Sequence, residues 1–529
     1  MRIKNKRSNV LWLMSDQHHA DCMSFHSHPN VKTPNMDWIA KHGICFDNAF
    51  ANNPVCAPSR ISFATGQYVH THKMQGNDNL DYNKLNAFYL PTLFRRYGYQ
   101  TAHIGKEHTV HSWAKEGYEY IRHTDFCDAD LHDVKSNHYF KYLMDLGLQD
   151  YYGEGDAKPN PEGYCDGSEP AYLPYEHSIE KFTGDETIKF LDARDTYRPF
   201  FIHMSFQRPH SPVEPAKEFF HMYNPDDIIL PASIKDYYEN RFAGKPEFMQ
   251  NILSRANHNA FPDKVDLRRW LASYYALISC IDMEIGKVLS KLKDMGELDN
   301  TIIIYTSDHG DFAGEHGLVN KGVGIYDSIQ RIPFLLRWPE GPENIRCEEI
   351  MESVDLYPTL CTLCNIPIPE GRDGVSLIRI AKDGESGKEA SFCETGKALA
   401  VRTKDYRLVF YSGNEMGELY DHKTDPAELN NLWNNQDYLD IKLKLIEKLL
   451  QVTMQYAAET DNISVKKAAN KYRYTPVKLI HKHGHYWSSL KRTYEEKPGW
   501  PTENTDAYKE DEKKNYPGRE QAPETGKQG

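Results

Sequence analysis

The chain has 529 residues, 40% of them hydrophobic, enough to bury more than one core. Its formal net charge of −13 argues against a nucleic-acid partner, and no apolar run is long enough to span a bilayer. The basic start from Met1 to Ser8 lacks the apolar core of a signal peptide, so a cytoplasmic location is expected.

The first predicted element is a strand over Asn9–Ser15, a continuous apolar run of the kind buried in parallel sheets. It ends in Asp16-Gln17. In open α/β sheets ligands collect beyond the carboxyl ends of strands, so that pair is a site candidate. Thr33 starts a helix that Gly43 stops. Next comes Asn53-Pro54-Val55-Cys56-Ala57-Pro58-Ser59-Arg60, running on to Thr65-Gly66. Pro58 fits a first helical turn, because that turn needs no N–H from it. Cys56 therefore stands at a helix N-terminus, where free N–H groups and the helix dipole favour an anion.

Leu90–Arg96 reads as a helix, and Tyr99–Gly105 as a second strand ending in Lys106-Glu107-His108. From Val110 to Asp185 the chain is irregular and aromatic, and long surface loops are expected there. A helix over Glu186–Arg194 leads to a third strand, Pro199–Phe206, which ends in Gln207-Arg208-Pro209-His210. Leu271, Tyr274, Ile278, Ile281, Ile285, Val288 and Leu292 recur at helical spacing within Leu267–Met295. Asn300–Ser307 is a fourth strand, ending in Asp308-His309. Cys361 and Cys364, in an amphipathic segment after Pro358, read as core thiols.

Alternating strands and helices predict an α/β fold with a largely parallel sheet. Short hairpin-like strands at 401–403, 407–411 and 418–421, then a helix over 439–457, predict a smaller α+β subdomain. The expected organisation is a catalytic domain over 1–384, that subdomain over 385–461, and a polar tail over 462–529.

Four strand ends with polar groups, and Cys56 beside them, are hard to explain as helix caps. Asp16, Asp308, the Gln17 carbonyl and a His309 nitrogen suit a divalent cation. Such a cation neutralises an anionic ester oxygen and lowers the pKa of an attacking hydroxyl. Arg60, Lys106 and Lys321 can complement charge on a transferring group. His108 and His210 suit proton transfer near neutral pH.

These strings resemble the type I sulfatases of the alkaline phosphatase superfamily from Asn9 to about Trp433. Cys56-x-Pro58-Ser59-Arg60 with Thr65-Gly66 resembles their signature, and Gly105-Lys106-Glu107-His108 is similar to their Gly-Lys-x-His. Ser307-Asp308-His309-Gly310 and Lys321-Gly322 resemble their later motifs. The resemblance implies an alkaline-phosphatase-like fold and hydrolysis of a sulfate ester. It implies that Cys56 is oxidised to formylglycine by a formylglycine-generating enzyme, and that the aldehyde hydrate is the nucleophile.

By position, Asp16, Gln17, Asp308, His309 and an oxygen of modified Cys56 would bind the metal. Arg60 would support the hydrate. Lys106, His210 and Lys321 would grip the sulfate and the leaving group, and His108 would take the second hydroxyl proton. The family commonly has Asp where Gln17 stands and Asn where His309 stands, which leaves calcium and manganese both open. A small sulfated substrate, a sugar foremost, is expected. A phosphonate monoester or phosphodiester hydrolase of the same superfamily stays open, as does a non-catalytic anion-binding protein. Oligomeric state is not legible.

Overall fold

The computed structural model describes residues 7–77, 89–109, 115–125, 137–151, 170–251, 264–383, 386–413 and 416–461. The tail expected over 462–529 lies outside the described residues.

The four strands predicted from apolar runs form. They are β1 (Asn9–Asp16), β3 (Gln100–Gly105), β5 (Phe200–Pro209) and β6 (Thr301–Ser307), and β1, β5 and β6 are buried along their whole length. Burial on both faces is what parallel strands under two helical layers require. Val10 pairs with Phe201 on one side and Ile302 on the other. Alternate side chains leave on opposite faces. Val10, Trp12 and Met14 enter one core, while Leu11 and Leu13 enter the other.

With β2 (Ile44–Phe50), β4 (Tyr120–His123), β7 (Phe334–Arg337) and β8 (Ile345–Glu352), the sheet has eight strands in the order β4-β3-β5-β1-β6-β7-β2-β8. Only β7 runs antiparallel to its neighbours. The strand β4 corrects the expectation of loops throughout Val110–Asp185. So do a helix over His138–Asp145 and one that begins at Ile179 rather than Glu186. Of the same span, 110–114, 126–136 and 152–169 lie outside the described residues.

The first principal helices are α1 (Pro34–Lys41), α2 (Cys56–Thr65) and α3 (Leu90–Arg96). Then come α4 (Ile179–Ala193), α5 (Lys264–Asp294) and α6 (Leu356–Leu363). The Val10 core takes Phe63 and Ala64 of α2, Leu93 and Phe94 of α3, and Leu360 and Cys361 of α6. The Leu11 core takes Met36 and Ile39 of α1, and Ile281, Ile285 and Val288 of α5. Each such aliphatic or aromatic side chain contributes about 1.5–3 kcal/mol on burial, which locks α2 to the sheet. Cys361 and Cys364 are buried thiols.

Strands β9 (Ser391–Glu394), β10 (Ala398–Arg402), β11 (Tyr406–Tyr411) and β12 (Glu418–Asp421) make a second, antiparallel sheet. Val401, Leu408 and Leu419 pack there with Leu445 and Leu449 of α7 (Leu439–Asp461). Among the described residues no helix is long and apolar enough to cross a membrane.

Candidate active site

Strands β3, β5, β1 and β6 are consecutive neighbours, so their carboxyl ends share one edge of the sheet. Lys106, His210, Asp16-Gln17 and Asp308-His309 follow those ends. The chain leaves β2 at Phe50 and enters α2 at Cys56, which reaches the same edge. Gly66 closes α2 in the left-handed conformation, and Asn77 Oδ1 accepts the Ala57 N–H at 3.1 Å.

Cys56 Sγ lies 3.3 Å from His309 Nε2 and 3.7 Å from Asp16 Oδ1. His309 Nε2 is 3.6 Å from Asp16 Oδ1 and 3.8 Å from Asp308 Oδ1. One donor atom from each of these four buried residues lies within 4.8 Å of the others. His309 Nδ1 stands 2.8 Å from the Gly310 carbonyl. With Nδ1 donating there, Nε2 faces the cluster as an acceptor.

Two buried cations brace the carboxylates. Arg60 Nε donates to Asp308 Oδ2 at 2.7 Å, and its Nη2 lies 3.6 Å from Asp16 Oδ2. Arg60 Nη1 donates to the Lys106 carbonyl at 2.8 Å and to Ser205 Oγ at 2.9 Å. Lys106 Nζ lies 2.5 Å from Asp16 Oδ2. Burial and Cys56 push the Asp16 carboxyl up, but Lys106, His210 and Arg60 outweigh them and hold it well below the usual carboxylate range.

The same field acts on Cys56. Burial pushes its thiol up. Lys321, Lys106, His309 and a hydrogen bond from His108 prevail and hold it well below the ordinary range. This spot is built to carry negative charge. His210 is also within hydrogen-bonding reach of the sulfur, and burial with Lys321 lowers its pKa below the ordinary histidine value. For His309, burial acts downward but Asp308 and Cys56 carry it above its ordinary value. His108 is buried, and its Nδ1 has no hydrogen-bond partner among the described residues.

Gln17 has a left-handed backbone, and its N–H donates to Asp308 Oδ1 at 3.1 Å. Its side-chain oxygen accepts from Lys321 Nζ at 2.5 Å, and its nitrogen donates to Asp311 Oδ2 at 2.6 Å and Asn320 Oδ1 at 3.1 Å. The carboxamide is thus engaged at both ends. Lys106 and His108 do not continue a regular strand: β3 ends at Gly105, and His108 has a φ of 43°.

All the residues singled out in the sequence lie at or next to this cluster. Three more belong to it without having been singled out. Asp311 is buried against Gln17, and burial pushes its carboxyl up to about 7 despite hydrogen bonds from Ala313, Gln17 and Asn320. Asn320 joins it through the Gln17 amide. Ser205 supports Arg60 from within β5. Asp311 could have been found by its place three residues after Asp308; Ser205 left no signal.

A divalent cation fits this donor set, which offers two carboxylates, an imidazole nitrogen and the position of the Cys56 side chain. The cationic surroundings of Cys56 equally fit an oxygen nucleophile there.

Residues 8–366 match the family described as "Sulfatase", and residues 314–455 match "N-sulphoglucosamine sulphohydrolase, C-terminal". The chain is 30% identical to an arylsulfatase of Clostridium perfringens, over 84% of this chain and 94% of that one. It is 27% identical to an N-acetylglucosamine-6-O-sulfatase of Bacteroides thetaiotaomicron, over 86% of this chain and 87% of that one. Among solved structures, a phosphonate monoester hydrolase of Agrobacterium radiobacter superposes with a TM-score of 0.72 at 25% identity, covering 85% of this chain and 96% of that one.

Proposed function

The chain belongs to the sulfatase family and is a hydrolase of sulfate esters, and we propose that it acts through Cys56, converted to formylglycine, beside a divalent cation held by Asp16, Asp308 and His309. The observation that carries this reading is the convergence of those four side chains within 4.8 Å, ringed by Arg60, Lys106 and Lys321.

When bound, the cation supplies charge neutralisation at the ester oxygens and a more acidic nucleophile. Formylglycine supplies a hydrated aldehyde with one hydroxyl to attack sulfur and a second to release sulfate. A maturation enzyme has to install it. This chain's residues do the rest. Arg60 fixes the Asp308 and Asp16 carboxylates, so neither has to reorganise as charge develops. Lys106 and Lys321 hold the transferring group by charge. His108, whose Nδ1 has no hydrogen-bond partner among the described residues, takes a proton from the nucleophile's second hydroxyl. His210 orients the leaving-group oxygen. Gln17 ties Lys321 to the metal edge through its carboxamide, and its backbone N–H holds Asp308.

A sulfated sugar or another small organic sulfate is the proposed substrate, supported by the N-acetylglucosamine-6-O-sulfatase relative. A second reading, hydrolysis of a phosphonate monoester, is favoured by the Agrobacterium structure. Parallel turnover of sulfated mono- and disaccharides, an aryl sulfate and an aryl phosphonate ester distinguishes them. Fastest turnover of the phosphonate would overturn the first reading. His309 adds a nitrogen to the oxygen donors, a mixture that manganese accepts as readily as calcium does oxygen alone. Chelator-stripped enzyme should therefore regain at least as much activity with manganese as with calcium. Recovery with calcium alone would refute that assignment.

A further inference from the structure

A second group of metal-ligating side chains lies where the segment after β1 meets β2. Cys45 and Asp47 are two apart on β2, and their side chains meet on one side of it although its pairing with β8 shifts register between Phe46 and Asn48. His26 ends a short 3-10 turn, Ser24–His26. His26 Nε2 is 3.2 Å from Cys45 Sγ, and Cys45 Sγ is 3.8 Å from Asp47 Oδ1. One ligand atom of each lies within 4.8 Å of the other two. Tetrahedral zinc, with bonds of about 2.0–2.3 Å, holds its ligand atoms roughly 3.3–3.8 Å apart.

The surroundings match a ligand shell. His26 Nδ1 lies 3.5 Å from Asp21 Oδ1, and Asp21 is gripped by Arg331 through both oxygens. A carboxylate behind an imidazole is the usual support of a metal-bound histidine. Asp47 is held by Arg346, whose Nε and Nη2 donate at 3.1 and 2.8 Å. A thiol–imidazole hydrogen bond alone would account for the 3.2 Å contact. It does not require a carboxylate behind the imidazole, as Asp21 is, or a second one beside the sulfur, as Asp47 is. Access is from the Asp47 side, where that side chain is 21% exposed while Cys45 is buried.

We propose that His26, Cys45 and Asp47 bind a zinc-class divalent cation, with one position left for water. The site differs from the Cys56 cluster in place: Cys45 is near the amino end of β2, and Cys56 follows its carboxyl end. Thiolate, imidazole and carboxylate together suit zinc better than calcium or magnesium. On binding, Cys45 releases its Sγ proton to solvent as the sulfur–metal bond forms, and nothing is oxidised or reduced. The ion would clamp the segment that leaves the Asp16 edge against the strand that leads to Cys56.

Cobalt(II) is the probe, because thiolate ligation gives it a near-ultraviolet charge-transfer band. The full chain carrying Cys56→Ala, stripped with chelator, is titrated with cobalt, so the catalytic cluster contributes no thiolate. The expected result is a thiolate band that saturates and is displaced by zinc, whether or not the Asp16–Asp308–His309 cluster takes a second, bandless ion. Adding Cys45→Ser should abolish it, and adding His26→Gln should weaken cobalt affinity at least roughly tenfold. No band, or a band that survives Cys45→Ser, would overturn the proposal. If Cys45→Ser does not fold by circular dichroism, His26→Gln and Asp47→Asn decide, and unchanged affinity in both would also overturn it. None of these outcomes depends on sulfatase turnover.

Discussion

Cys56 sits in a field that suits negative charge, so the side chain there is decisive and cannot be replaced by bulk alone. Cys56→Ala should abolish turnover of any sulfate ester, measured against the modified wild-type chain. Full activity in that variant would remove Cys56 from the chemistry. Protein made in a host without the maturation enzyme should show an unconverted cysteine by intact mass, and correspondingly low activity. Lys106 acts differently. It is buried with its Nζ 2.5 Å from Asp16, and it also bears on the charge at Cys56. Lys106→Ala should lower kcat about 100- to 1000-fold, the scale of losing one electrostatic stabiliser, or roughly 3–4 kcal/mol. A change in KM alone, with kcat kept, would assign Lys106 to ground-state binding instead.

The Lys106 loop depends on how closely β3 approaches β5. Gly105 has a φ of +109°, and a Cβ there would stand 1.7 Å from the Ser205 carbonyl oxygen, which also accepts the Lys106 N–H at 2.8 Å. Backbone, unlike a flexible side chain, cannot yield to such a contact. Gly105→Ala should therefore cost roughly 3 kcal/mol or more and displace Lys106, seen as a lower thermal midpoint together with lost activity. Gly413 is the control. Its φ is +77° and no described residue lies within 4 Å of its absent Cβ, so Gly413→Ala should cost only about 1–2 kcal/mol and leave activity intact. Equal effects at the two positions would show that contact with β5 is not what matters.

A buried charge network fastens the second sheet to the segments around the site. Asp327 accepts from Arg331 at 2.6 Å, from Arg402 of β10 at 3.2 Å and from Arg407 of β11 at 2.6 Å. Arg407 and His422 also donate to Glu428, at 2.5 and 3.0 Å. Burial pushes the Glu428 carboxyl up, but Arg407 and His422 outweigh it and bring it down from 4.5 to about 2. A depressed carboxylate stabilises the fold fully above its unfolded pKa and loses that contribution as pH falls through the folded value. Wild type should therefore exceed Glu428→Gln by about 3 kcal/mol at pH 7, and the gap should close between pH 4.5 and 2. Denaturant unfolding of both proteins across that range tests it. A gap independent of pH would mean that Glu428 contributes by shape rather than charge.

The sequence by itself determined the parts whose signals are local. Apolar runs marked β1, β3, β5 and β6, helical spacing marked α5, and the Cys56–Gly66 stretch marked the start and end of α2. Because ligands gather at strand ends, Asp16, Lys106, His210 and Asp308 could be named before their neighbours were known. The strands β2, β4, β7 and β8 were not legible. β8 is exposed over its first half and β4 has only four residues, so neither carries an apolar run. Strand order, too, was decided only by the tertiary structure, since register is set by contacts between residues hundreds of positions apart. The same holds within the site. Gln17 was legible as a polar strand end, but its partners Lys321, Asp311 and Asn320 come from about 300 residues away. Ser205 supports Arg60 only because β5 lies beside β1, and His26 meets Cys45 only because the chain after β1 folds back onto β2. Local sequence fixes which groups are available, while long-range packing decides which of them share a charge.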